Sequence, residues 1–308
     1  MTTVTVYRGK SAQIGPLDVW PLRWEGLSSV SYEVPPMIDQ LIFREFGEGP
    51  QVDCIEVENP TDMPFLIPEG WVVGAELWQT RVFNRATHVA AKETVLADVS
   101  CVEKGRWDAG TNAVDGGRAP LTVLAAGWDH NSEDGTWRLN RNSRQSRVWN
   151  QVSRQESRTG ERPTNSLEQV MREDSMKMSL PREIQDLAKS NVRVLAGQNG
   201  VLISYEGIPL LMEAHASERA FEMTLHQTIR AISFDVEHSD FRPTNEAEVS
   251  RFIRNARIDE LHFLSDHDWA ILMAGGTNGI DTQASSDQAG RLIHATVINR
   301  NHRILEGV

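Results

Sequence analysis

Polar and apolar residues alternate with a period of two through much of the first half of the chain. Trp71, Val73, Ala75 and Leu77 share one face, which predicts a strand over Trp71 to Trp78 buried on one side, with Glu76 pointing the other way. The same parity joins Val95, Ala97, Val99 and Cys101 and sets Asp98 and Ser100 opposite, so a second half-buried strand is expected there. Thr3 to Tyr7, Gln40 to Phe46 and Val52 to Glu58 read as further strands between turns rich in Gly and Pro. From Val52 to Val57 the parity slips, from Val52 and Cys54 to Ile55 and Val57, as either a β-bulge or burial on both faces would produce. The Gly-rich stretch Asp108 to Arg118 predicts a surface loop, and Leu121 to Ala126 a returning strand.

At Arg141 the period changes to that of a helix. Val148, Trp149 and Val152 fall on one side, and Arg147, Gln151, Arg154 and Arg158 form another stripe. Asn165 followed by Glu168 is the spacing of a capping box, ahead of a helix carrying Leu167, Val170 and Met171. Pro181 suits the first turn of a third helix, traced by Ile184, Leu187, Ala188 and Leu195. Alternation returns at Val201 to Tyr205 and Ile208 to Met212, with Glu206-Gly207 between them as a hairpin turn. Ser217 and Asn245 are placed to cap two more helices, and Trp269 to Met273 and Leu292 to Ile298 read as late strands. The expected fold is α+β: a β-rich segment 1–135, a helical segment 136–199 and an α+β segment 200–308, packed into one unit.

Composition narrows the function classes. Apolar stretches are far shorter than the roughly 20 residues that cross a bilayer, so no membrane span is expected. Met1 to Lys10 lacks the apolar run of a signal peptide, and Cys54 and Cys101 are too few for a disulfide framework, which favours a reducing cytoplasm. A net charge of −12 opposes general attraction to nucleic acid or anionic lipid, so any anion must be held locally. Seven arginines between Arg138 and Arg162 face only Glu156 and Glu161, a local +5 that leaves −17 elsewhere.

The richest chemistry lies in Cys101-Val102-Glu103-Lys104-Gly105-Arg106-Trp107, where a strand empties into a loop with charge, glycine and indole adjacent. Glu103 leaves the strand on its core-facing side and needs a partner there, which Arg106 or Arg81 could supply. A structural ion pair under a Trp107 lid fits the same residues equally well. Arg144 and Arg147, at the start of the amphipathic helix, are candidate anion donors. Arg154, Arg158 and Arg162 read instead as a solvated face that salt-bridges the acidic body. Cys101 reads as a small buried residue more readily than as a nucleophile. His262, Asp266, His267 and Asp268 lack a metal-ligand spacing, and His294 reads as a hydrogen-bonded core histidine, so no metal or other cofactor is expected.

In the order Ile67-Pro68-Glu69-Gly70, Val73-Gly74-Ala75, Gln79-Thr80-Arg81, Val99 to Trp107 and Gln145-Ser146-Arg147-Val148-Trp149, the chain resembles the ARG and rhodanese-phosphatase-superfamily-associated protein domain family, where ARG denotes ADP-ribosylglycohydrolase. Its Leu77-Trp78-Gln79-Thr80-Arg81 departs from the family's Lys or Gln followed by Asn-Arg, whereas Arg81, Glu103, Arg106 and Trp107 carry over. The resemblance implies a contextual link to ADP-ribose and NAD metabolism. The expected function is therefore binding, with hydrolysis as a further step, of an ADP-ribose or NAD-derived phosphorylated molecule. In that reading Arg81, Arg106, Arg144 and Arg147 hold phosphate, Trp107 stacks a base or sugar, and Glu103 orients an arginine or serves as general base. The alternative is a non-catalytic scaffold or sensor, with a structural polar cluster and a basic helix for an acidic protein partner; a homo-oligomer is also compatible.

Overall fold

The computed structural model describes residues 3–6, 11–46, 51–74, 79–103, 114–128, 141–159, 166–168, 170–171, 194–237 and 239–308. In chain order the elements are β1 (Thr3–Val6), β2 (Ala12–Ile14), β3 (Leu17–Glu25), β4 (Ile42–Glu45), β5 (Cys54–Glu58), β6 (Phe65–Ile67), β7 (Trp71–Gly74), β8 (Arg81–Phe83), β9 (Thr87–Val89), β10 (Thr94–Cys101), β11 (Val114–Arg118), α1 (Leu121–Gly127) and α2 (Arg141–Thr159). There follow β12 (Gly200–Tyr205), β13 (Ile208–His215), α3 (Glu218–Ser233), α4 (Glu246–Asn255), β14 (His262–His267), β15 (Ala270–Thr277), β16 (Ile280–Ser286) and β17 (Leu292–Asn299). The fold is α+β and rich in strand, and no described helix is long and apolar enough to cross a membrane.

Contacts divide the chain into two units: Met1–Tyr32, Leu180–Ile229 and Val236–Gly307 form one, and Glu33–Ser179, Arg230–Asp235 and Val308 the other. This differs from the consecutive segments 1–135, 136–199 and 200–308. The reason is register: β12 pairs along the whole of β3, from Gly200 opposite Leu22 to Tyr205 opposite Leu17, and so ties the N-terminal strands to the C-terminal sheet.

The first unit is an antiparallel sheet in the order β1-β3-β12-β13-β17-β16-β15-β14, with β2 on β3. One face buries Trp20, Leu22, Leu202, Met212 and Val297 against Val249 and Phe252 of α4. Each such side chain contributes about 1.5–3 kcal/mol on leaving water. The expected hairpin is present, and both of its turn residues have positive φ, Glu206 at 53° and Gly207 at 78°, the twist that a two-residue connection requires. Both expected caps form: Ser217 Oγ accepts from the Ala220 amide and Asn245 Oδ1 from that of Ala247.

The second unit holds a sheet in the order β11-β7-β8-β10-β5-β4 and a separate β6-β9 ribbon. Period-two parity sorts its residues between two cores. Trp71, Val73, Phe83, Ala97 and Val99 enter one, with Ile55, Val57 and Phe65. Val72 and Val82 enter the other, packed against Val123 and Ala126 of α1 and Val148 and Val152 of α2. In β5 the alternation is regular from Cys54 onward, with Ile55 and Val57 inside, so the apparent slip reflects only that Val52 precedes the strand.

Two expectations are corrected. Leu121 to Ala126 is helix rather than strand; every residue of α1 is buried, so its apolar run carries no period by which to tell the two apart. The end of the expected loop, Val114–Arg118, is a strand on β7, where Asp115 pairs with Val73 and Gly117 with Val72. Gly116 is the extra residue of that bulge, and a Cβ there would lie 2.7 Å from Val72 Cγ1. The helix expected from Pro181 and the segment Ala75 to Trp78 fall largely or wholly outside the described residues.

Candidate functional site

Of the predicted arginines, the three that are described, Arg81, Arg144 and Arg147, do not converge. Arg81 lies opposite Val73 and Cys101 in the sheet, fully buried, and its guanidinium meets Glu45 at 3.2 Å, the Gln51 carbonyl at 3.0 Å and Gln79 Oε1 at 3.3 Å. Arg144 projects from α2 onto Asp98 of β10, with both terminal nitrogens on the carboxylate, one at 3.1 Å. Asp98 has the opposite parity to Cys101, so these two guanidiniums serve different carboxylates on different faces of one sheet. Arg118 reaches buried Glu69 with one terminal nitrogen, at 3.4 Å.

Arg147 does something else. Its Nε donates to the Ala126 carbonyl at 3.2 Å and one terminal nitrogen to that of Trp128 at 3.1 Å, closing the C-terminal end of α1 with a cation. Its other terminal nitrogen donates to Ser143 Oγ. Gln145, its neighbour, lies against the end of β10 and bonds Cys101 through both the main-chain amide and carbonyl.

Glu103 is half-buried, and its Oε2 accepts from the Thr80 amide at 3.0 Å and the Thr80 hydroxyl at 2.9 Å. Through this oxygen it orients Thr80. Burial raises the Cys101 thiol above its ordinary value despite a backbone bond to Glu103 and the charge of Arg81, which is the wrong direction for a nucleophile. Arg106 and Trp107 lie outside the described residues.

Arg154 and Arg158 lie on a solvated face of α2, as expected, while Arg144, expected to hold an anion, is the one that pairs with a carboxylate. Asn150, Ser153, Arg154, Ser157 and Arg158 recur at helical spacing, are all exposed, and line a groove of about 550 Å³. That volume lies within the range of small-molecule sites. Arg158 donates to the Phe234 carbonyl at 2.7 Å. Arg154 reaches Gln151 Oε1 at 3.5 Å and is paired with no carboxylate among the described residues.

A second constellation, in the other unit, was not anticipated. Glu213 and His215 sit two apart on β13 and so point to one face, and His294 of β17 is the cross-strand partner of His215. All three are buried, and one ligand atom from each lies within 4.8 Å of the others. Glu213 Oε1 is 3.3 Å from His294 Nε2 and 3.5 Å from His215 Nε2, and the imidazole centroids are 4.5 Å apart. Thr224 and Thr228, one turn apart on α3, and Tyr32 complete the surroundings. Burial pushes the Tyr32 phenol well above its ordinary range, so it keeps its proton. The expectation that His294 is hydrogen-bonded in the core holds, through Glu213. A Glu-x-His pair in β13 was the available signal, but the expected strand ended at Met212, one residue short of it.

The family model of the ARG and Rhodanese-Phosphatase-superfamily-associated Protein domain matches residues 5–296. No curated protein and no solved structure matches the chain.

Proposed function

We propose, from the premise that this chain belongs to the ARG and Rhodanese-Phosphatase-superfamily-associated Protein domain family, that it is a binding module for an ADP-ribose or NAD-derived phosphorylated molecule, held on the exposed face of α2. The observation that carries this reading is Arg154: an exposed guanidinium on a groove, paired with no carboxylate among the described residues, one helical turn from Arg158. Two guanidiniums at that spacing suit the two charges of a diphosphate, and the serine and asparagine side chains add neutral donors. The sugar-phosphate linkage supplies the acidic group, which a chain of net charge −12 can attract only where arginines cluster.

Hydrolysis is left out of this proposal, since Glu103 Oε2 already takes two bonds from Thr80. The burial of Arg81, Arg118 and Arg144 in internal ion pairs supports a non-catalytic module as well, one whose α2 receives an acidic protein segment instead. A cytoplasmic setting fits the two free cysteines.

Calorimetry with ADP-ribose, NAD and ADP tests the small-molecule reading. Arg154→Ala should weaken ADP-ribose binding at least about tenfold, the loss of one charge-assisted hydrogen bond, without lowering the melting temperature. Absence of heat and of thermal shift at millimolar ligand would remove the reading, and unchanged affinity in Arg154→Ala would move the site elsewhere.

A further inference from the structure

Three hydroxyls surround the Glu213, His215 and His294 cluster, and each has one proton to place. Tyr32 donates to the Ile293 carbonyl at 3.1 Å, Thr224 to the Ala220 carbonyl at 3.0 Å, and Thr228 to Glu213 Oε2 at 2.5 Å. Two of them also face His215: the phenol oxygen stands 3.5 Å from Nδ1 and Thr224 Oγ1 stands 3.1 Å from Nε2. Glu213 Oε1 faces the same Nε2. A neutral imidazole offers one N–H and one lone pair, so with its proton on Nδ1, toward Tyr32, His215 turns the Nε2 lone pair toward Thr224 and Glu213. Glu213 Oε1 thus lies buried between two imidazole nitrogens, and a buried carboxylate is tolerated best against positive charge.

We infer that Glu213 Oε1, His215 Nε2 and His294 Nε2 ligate a single divalent transition-metal ion of the zinc class. The spacing fits. Bonds of about 2.0–2.1 Å around a tetrahedral ion put neighbouring ligand atoms roughly 3.3 Å apart, and the carboxylate oxygen lies 3.3 and 3.5 Å from the two nitrogens. Two imidazoles and one carboxylate suit zinc, iron or manganese over magnesium or calcium, which prefer all-oxygen sites. Thr224 Oγ1 stands 3.1 Å from His215 Nε2, beside the same cluster.

The outer contacts match this assignment. With the ion on Nε2, His215 carries its proton on Nδ1 and gives it to Tyr32, while Thr228 fixes the far oxygen of Glu213, the kind of support that orients metal ligands. The three side chains are at most 1% exposed, so the ion is structural and ties β13 to β17. The α2 groove plays no part in this inference.

The experiment uses the full chain without an affinity tag, stripped by chelator and dialysed against Zn²⁺, with bound metal measured by mass spectrometry and the cobalt form by absorption. The wild type should take up one ion per chain, raise its melting temperature on loading, and give the visible bands of tetrahedral cobalt. Glu213→Gln and His294→Gln should lose that ion. Thr228→Val should keep the stoichiometry while its dissociation constant rises about 10- to 100-fold. No uptake by the folded wild type overturns the inference, a result that holds whether or not the variants fold. Uptake that persists in both ligand variants also overturns it, placing the ion on surface histidines.

Discussion

Gln145 completes a sheet edge that no described strand reaches: its Nε2 donates to the Cys101 carbonyl at 2.8 Å, and its Oε1 accepts from the Cys101 amide at 2.9 Å. One amide side chain thereby answers both polar groups of a buried main-chain residue, as a neighbouring strand would. Gln145→Ala leaves both without a partner. Each buried orphan costs about 1–3 kcal/mol, so a loss of roughly 2–5 kcal/mol in urea unfolding is expected. Gln145→Glu keeps the acceptor but sets a carboxylate oxygen against a carbonyl, and should be no better than alanine. A loss below about 1 kcal/mol in either variant would show that the pairing is replaceable by water.

Arg81 was expected to hold phosphate, and the structure puts it among Glu45, Gln51 and Gln79 with no side-chain exposure. Removing one member of a buried pair leaves the other charge stranded, at about 3–5 kcal/mol, whereas replacing both with apolar groups is far milder. Arg81→Met should therefore destabilise strongly, and Arg81→Met with Glu45→Leu should recover much of the loss. ADP-ribose affinity, measured where the variant remains folded, should not change. An affinity loss in Arg81→Met matching that of Arg154→Ala would return the ligand to the first site.

The legible part of this fold is the part set by local period. Trp71, Val73 and Val99 were readable as one face of a sheet because their neighbours in sequence are Val72 and Ser100, which go to the other side. α1 was not readable: Leu121-Thr122-Val123-Leu124-Ala125-Ala126 is buried all round, and β-branched residues tilt such a run toward strand. Pro120 just before it was the unused signal. For the arginines, sequence showed the stripe on α2 but not which side would be covered. Helical spacing sets Arg147, Arg154 and Arg158 in one stripe with Arg144 beside it, yet only the sheet beneath decides that Arg144 meets Asp98 and Arg154 meets solvent. The histidine pair was hidden for a different reason. His215 and His294 are 79 positions apart and meet through the register of β13 on β17, a long-range pairing that no local pattern encodes.

Asp235 supplies a pH dependence whose sign runs against ordinary acid denaturation. It is buried, and desolvation raises its pKa from the ordinary 3.8 to about 6, outweighing the hydroxyl and amide of Thr122, the charge of Arg158 and the Gln155 side chain, which all favour the ionised form. The folded carboxyl therefore holds a proton that the unfolded chain has released. The associated stability is fully present below about pH 3.8 and is lost as pH rises through about 6, in all about 3 kcal/mol. Asp235→Asn has nothing to titrate there. Carboxylates shifted the other way, such as Asp287, titrate alike in both proteins and cancel in the difference. Urea unfolding of wild type and Asp235→Asn at pH 4 and pH 7 should show the wild type's advantage shrinking, or its deficit growing, by about 3 kcal/mol at the higher pH. A difference independent of pH would mean that Asp235 keeps one protonation state on folding, and that its three donors, rather than burial, set its pKa.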